Sequence, residues 1–206
     1  MEQKYKSLGF IGRFKPFHNG AFQLLYHGCK AADSVVIGIG SPNKYNIHNP
    51  FTYEETTQMI DQSLKPFVNN YRFVAIADSG HIPGQESGAQ WVQTVREEFT
   101  GVDAMVSGNP LVGKLLEPHY TIVKPKDLIG EYPALDSMKA TRVRNAMARG
   151  DLWIPLVPQL VATYLIQHKI IDRFRAEFAE ATLLKTSLSA KEETAQGELE
   201  RVRHTN

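Results

Sequence analysis

The strongest constraint in this chain is an alternation of short, continuously apolar runs with longer amphipathic ones. "SLGFIGRF", "DSVVIGIGS", "NYRFVAIADS", "GVDAMVSGN" and "HYTIVKP" read as five strands. Helical patterns lie between them at 19–32, 52–67, 87–99 and 110–117. A strand that is apolar at almost every position has both faces buried, and strands joined through helices run parallel. The expected fold is therefore α/β, a Rossmann-like, doubly wound parallel sheet of about five strands with C-terminal helices. "TYEE", from Thr52 to Glu55, fits a capping box at the start of the second helix.

After the fifth strand the pattern changes. "SMKATRVRNAMARGD" predicts a helix closed by Gly150, and "IPLVPQLVATYLIQHKIIDRF" predicts one proline-started amphipathic helix. The remaining stretch mixes charges with few aromatics, which predicts a helix that frays. The expected division is a domain over 1–174 and a helical or partly disordered tail over 175–206. A chain of 206 residues that is 42% hydrophobic can build a real core. The formal net charge of +1 gives no global attraction to nucleic acid, so a bound anion must be held locally. The one cysteine, Cys29, cannot pair internally or build a cysteine-cluster zinc site, and it predicts a small core residue. With no signal-peptide pattern and no membrane-length apolar run, a soluble cytoplasmic protein is expected.

Open α/β sheets bind ligands beyond the carboxyl ends of their strands, which directs attention to 12–20, 40–52, 78–91, 107–111 and 138–144. In "GRFKPFHNGAF", Gly12 permits a tight exit from the strand. The following helix start presents unpartnered N–H groups to an anion, with Arg13 and His18 as added donors. The plainer alternative is that His18 only caps the helix while Arg13 sits in solvent. No phosphate-loop lysine motif occurs, and Gly38-Ile-Gly40-Ser-Pro-Asn43 is a weak dinucleotide match, because Asn43 stands where a third glycine belongs.

"GRFKPFHNGA" resembles the GRFxPFHxGH signature of the HxGH nucleotidylyltransferases, in particular the archaeal-type nicotinamide-nucleotide adenylyltransferases. The resemblance continues in order over about 7–173, through "IGIGSPNKYNIHNPFTYEE", "SGAQWV", "VSGNPLV" and "MKATRVRNAM". It implies that His18, Arg13 and Arg144 are catalytic, with His18 at the ATP phosphates and Arg13 reaching phosphate. It implies nucleotide or substrate contacts for Gly12, Phe14, Gly20, Ser41, His48, Asn49, Gly108, Asn109, Lys139 and Thr141, and stacking of Trp91 on a pyridine ring. ATP and nicotinamide mononucleotide would give NAD and pyrophosphate, with Mg²⁺ held mainly by the ATP phosphates, in a homo-oligomer. No protein nucleophile is needed, since the mononucleotide phosphate can attack the α-phosphorus in line; alignment and charge stabilisation suffice.

Each site residue also has a structural alternative. Trp91 fits a core position, His48 a solvated loop, Asn109 a turn and helix cap, and Thr141 and Arg144 a helix surface. His27, His81, His119 and His168 lie outside the motifs and predict surface or packing roles. The chain departs from the family pattern at Ala21 (the second HxGH histidine), Lys139 (a serine), Thr56 (an arginine) and His48 (often an arginine). Losing one preorganised donor costs on the order of 10²–10³ in rate. Three outcomes stay open: a working adenylyltransferase with a substituted clamp, a nucleotide-binding protein of impaired catalysis, or a nucleotidylyltransferase with another phosphomonoester acceptor. A histidine placed at position 21 is expected to speed the chemical step.

Overall fold

The computed structural model describes residues 4–77, 87–130 and 139–204, with side chains described through Leu188 of the last helix. The described residues run β1 (Tyr5–Gly12), α1 (Asn19–Ala31), β2 (Ala32–Gly40), α2 (Tyr53–Leu64), β3 (Tyr71–Ile76) and α3 (Ser87–Glu98). They continue with β4 (Ala104–Val106), α4 (Pro110–Leu116), β5 (Thr121–Val123), α5 (Pro125–Ile129) and α6 (Ala140–Arg149). A 3-10 turn at Ile154–Leu156 leads into α7 (Gln159–Gln167) and α8 (Ile170–His204). The strands form one parallel sheet in the order β3-β2-β1-β4-β5. The order reverses between β1 and β4, which places the switch point at their carboxyl ends.

Alternate strand residues serve opposite faces, as a sheet covered on both sides requires. Leu8 and Phe10 of β1, Val35, Ile37 and Ile39 of β2, and Ala104 and Val106 of β4 enter one core with α1, α2 and α6–α8. Val36 and Met105 enter the other, beneath α3 and α4, with Val95, Phe99 and Leu116. Cys29 is buried in the first core. The capping box is present in both directions: Glu55 N–H donates to Thr52 Oγ1 (3.2 Å) and Thr52 N–H to Glu55 Oε2 (3.0 Å). Gly150 closes α6 in the left-handed region, at φ 77°.

The C-terminal stretch differs from expectation. The single helix anticipated from Ile154 is broken twice. Pro155 and Pro158 confine the first piece to a 3-10 turn, and Lys169, at φ 54°, separates α7 from α8. β4 and β5 are also shorter than their apolar runs, at three residues each. The division expected at 174/175 falls inside α8, which continues without a break to His204. Phe174 and Thr182 are buried and Phe178 packs against the main core. Among the described residues no helix is long and apolar enough to cross a membrane.

Candidate active site

The turn after β1 is the densest part of the site. Phe14 takes a left-handed backbone, φ 52°, a conformation a bulky residue keeps only when its surroundings enforce it. Its ring lies over Gly12, where a Cβ would come within 2.7 Å of the ring, so only glycine fits. Gly20 is buried in the first turn of α1. His18 is the N-cap of α1: its Nδ1 accepts from Ala21 N–H at 3.3 Å. An accepting Nδ1 puts the ring proton on Nε2. Burial, followed by the Arg144 guanidinium, lowers the pKa of His18 to about 4. At neutral pH it is therefore an uncharged imidazole whose Nε2–H remains to donate.

Lys15, the unremarked residue of this turn, is only 1% exposed. Its Nζ donates to the Ser41 carbonyl at 3.1 Å, tying the turn to the exit of β2, where Ser41 itself is left-handed at φ 53°. Burial, then the nearby Arg13 charge, lowers Lys15 to about 8. Arg144, 7% exposed, arrives from α6: Nη1 donates to the Lys15 carbonyl (2.7 Å) and Nη2 to Thr141 Oγ1 (3.3 Å). Burial, again with Arg13, lowers Arg144 to about 10. Arg144 is thus an inner residue of α6, whereas Thr141 stays on the exposed helix surface and reaches the site only through its bond to Arg144. Lys139 precedes α6 without a side-chain cap bond. With Thr141, Arg142, Asn145 and Arg149 it lines a groove of about 520 Å³.

The loop after β2 is held by Asn46, whose Oδ1 accepts from His48 N–H (3.0 Å), Asn49 N–H (3.1 Å) and Asn49 Nδ2 (3.1 Å). Asn49 is buried, so its amide is used inside the loop. His48 meets Lys185 of α8, Nε2 to Nζ at 2.7 Å. Burial, then Lys185, Arg13 and Arg144, lowers the His48 pKa. Thr56 is fully buried with its hydroxyl on the Thr52 carbonyl (2.7 Å). A guanidinium still reaches this corner: Arg173 of α8 grips Glu55 at 2.6 and 2.7 Å. Burial works to raise the Glu55 carboxyl, but the Arg173 and Thr52 hydrogen bonds outweigh it and hold it below its ordinary value.

Arg13, Lys15, His18, Ser41, His48, Thr141 and Arg144 therefore gather around one place, linked by the contacts above. Among the described residues no carboxylate lies within ion-pair distance of Arg13, Lys15, Arg144 or Lys185. Cations assembled without counter-charge form an anion site. Trp91, Gly108 and Asn109 stand apart, on elements across the switch point. Trp91, half-buried, packs against the second core. Asn109 caps α4, its Oδ1 accepting from Leu111 N–H (2.9 Å) and Val112 N–H (3.5 Å). Gly108 faces the Pro125 ring. Ala21, where the resemblance expects a histidine, is buried in the core and offers no side-chain donor.

Lys15 and Lys185 were not legible as site residues. A lysine between two phenylalanines in "FKPF" was the one available signal for Lys15. Lys185 had none, because it meets His48 across 137 residues.

The profile of the cytidylyltransferase-like family matches residues 9–146. The chain is 30% identical over 190 residues to a nicotinamide-nucleotide adenylyltransferase of Thermococcus onnurineus, covering 91% of this chain and 92% of that one. It is 32% identical over 167 residues to a protein of the same name from Methanococcus maripaludis, covering 80% and 91%. A crystal structure of a bifunctional NMN adenylyltransferase/ADP ribose pyrophosphatase from Francisella tularensis, complexed with AMP and a manganese ion, has the same fold. It superposes with a TM-score of 0.67 at 20% identity, over 91% of this chain, and this chain spans 56% of that protein.

Proposed function

Because the chain belongs to the cytidylyltransferase-like family and is a nucleotidyltransferase, we propose that it transfers the adenylyl group of ATP to nicotinamide mononucleotide, giving NAD and pyrophosphate. The observation that carries this reading is the convergence of Arg13, Lys15, His18, His48 and Arg144 on one place with no opposing carboxylate among the described residues. The relatives that share about 30% of the sequence bear the name of the enzyme of this reaction.

The acceptor's phosphate oxygen attacks the α-phosphorus, its new P–O bond forming as the bond to the β-phosphate oxygen breaks. Pyrophosphate leaves with that electron pair, and no enzyme-bound intermediate forms. The chain's task is to align two anionic substrates and spread the charge that builds on the transferring group. His18 donates its Nε2–H to an oxygen of the transferring phosphoryl group. Being neutral, it neither loses a proton to the substrate nor repels the three cations around it. Arg13 and Lys15 take the triphosphate, and Arg144 braces the turn while meeting the same charge. Mg²⁺ held by the ATP phosphates would supply neutralisation of part of the triphosphate charge. The donors of this site (guanidinium, ammonium, imidazole and hydroxyl) suit the phosphate oxygens that the ion leaves free.

Trp91 stacks on the pyridine ring, and Gly108 and Asn109 meet the adenosine. The purified chain, given ATP, Mg²⁺ and nicotinamide mononucleotide, is expected to release equal amounts of NAD and pyrophosphate. Absence of both products retires the proposal. One observation favours a second reading, nucleotide binding with impaired turnover: Ala21 offers no side-chain donor and its N–H is committed to His18. Calorimetry finding tight ATP or NAD binding, with turnover at background, selects it. We also propose a homo-oligomeric cytoplasmic enzyme, which light scattering of the purified chain tests for assembly.

A further inference from the structure

We propose that Lys185, on the C-terminal helix, is a phosphate-binding residue of this site, its ammonium seated on His48 and turned to the triphosphate of bound ATP beside Arg13. The proposal rests on the nucleotide reading above, and it adds a ligand from outside the segment that the family profile matches.

α8 is held at a fixed register. Phe174, Phe178 and Thr182 follow at four-residue steps and pack inward, with Phe174 stacked on Phe51 (6.0 Å between ring centroids) and Phe178 edge-on to Tyr45 (5.1 Å). Arg173 grips Glu55, and the Tyr45 hydroxyl donates to Glu177. On the other flank, Arg175 donates to the Met147 carbonyl and the Thr186 hydroxyl to Asn145 Oδ1. Clamped between the loop after β2 and α6, the helix carries Lys185 three residues beyond Thr182. It arrives at the loop over the site without needing to search for it.

What it meets there is not a counter-charge. His48 Nε2 accepts one ammonium N–H, leaving two donors unspent. The charges that His48 feels after burial are Lys185, Arg13 and Arg144, all positive. Among the described residues no carboxylate pairs with Lys185. An ammonium held against a cationic cluster by a rigid helix is stabilised by an anion shared with that cluster, and the substrate supplies one. His48 then acts as a seat: with Nε2 accepting, it orients the lysine without adding charge.

The test uses the full chain with Lys185→Met, Lys185→Arg and His48→Ala. In calorimetry with inorganic tripolyphosphate, K185M is expected to bind about tenfold more weakly than wild type, the loss of one charge-assisted contact. K185R should bind within about threefold of wild type, because it restores the charge. In steady state, K185M raises the KM for ATP about tenfold and leaves the KM for nicotinamide mononucleotide and the melting temperature unchanged. In the His48→Ala background, K185M still weakens tripolyphosphate. Equal tripolyphosphate binding by K185M and wild type overturns the proposal, as does a wild-type chain that binds none. Loss of the K185M effect once His48 is alanine also overturns it, since the lysine then acts only through the imidazole. A wild-type chain that binds tripolyphosphate but makes no NAD retires the adenylyl-transfer reading and leaves the Lys185 titrations decisive on their own.

Discussion

The two sides of the switch point are built in opposite ways. On one side, the β1–α1 turn, the loop after β2, α6 and α8 bring together groups that are mostly charged. The bonds that fix them are distant in sequence: Arg144 to Lys15 spans 129 residues, Lys185 to His48 spans 137 and Arg173 to Glu55 spans 118. On the other side Trp91, Gly108 and Asn109 are uncharged, and Asn109 is fixed by contacts two and three residues away. The difference separates two tasks. In the proposed function the charged side takes the phosphates and the neutral side the flat rings; the first depends on the whole tertiary fold, the second on local backbone. Substitutions on the first should change turnover or the KM for ATP and respond to pH. Substitutions on the second should change substrate affinity.

The largest expected effect tests the charged side at its centre. His18→Asn keeps an N-cap acceptor but loses the aimed N–H, so kcat should fall on the order of 10²–10³ with the melting temperature preserved. His18→Ala should lose the same rate and also about 1 kcal/mol of stability. A kcat for H18N within threefold of wild type would make His18 a cap alone and erase the division of labour.

The neutral side is tested next. Trp91→Ala should raise the KM for nicotinamide mononucleotide roughly 5- to 150-fold, the range of one lost aromatic stack of about 1–3 kcal/mol, with kcat little changed. Since Trp91 also packs on the second core, Trp91→Phe separates the roles and should retain most of the affinity. A fall in kcat larger than the rise in KM would place Trp91 on the wrong side of the comparison.

The smallest effect is a pH dependence confined to the charged side. Lys15, at about 8 in the fold, loses its proton as pH rises past that value, so kcat/KM for ATP should decline severalfold above pH 8. Lys15→Met should flatten that limb, and an unchanged profile would remove Lys15 from the phosphate site. Stability should move the other way. Between about 8 and 10.5 the folded state binds fewer protons at Lys15 than the unfolded chain, so stability rises with pH there. His18 gives the acid counterpart. Its folded value of about 4 lies below the ordinary 6.5, so stability falls as pH drops through that window, a slope H18N should remove.

The same contrast marks how far the sequence could be read. The strand and helix pattern, the Thr52–Glu55 box and the Gly150 stop are local signals, and each appears in the fold. Arg13 and His18 were legible from the strand-to-helix turn and Arg144 from the family resemblance of its segment, and the fold brings the three together. The break at Lys169 was not, since nothing in the residue type announces a left-handed lysine. Lys15 was hidden by its polar type, although the fold buries it. The partners supplied by α8 were hidden by distance along the chain. Asn49 and Asn109 show a further limit: their residue type suits ligand contact and local structure equally, and here Asn49 bonds the Asn46 side chain while Asn109 accepts from backbone N–H groups.

The placement of α8 also sets an order of events during synthesis. The last strand ends at Val123, so the sheet can close before Arg144 has emerged and well before Lys185. At about 5–20 residues per second, several seconds separate the last of these strands from the last of these cations. A nascent chain in that interval has its five strands but lacks α6–α8, which cover one face of the sheet, so the late helices complete the core and the set of cations together.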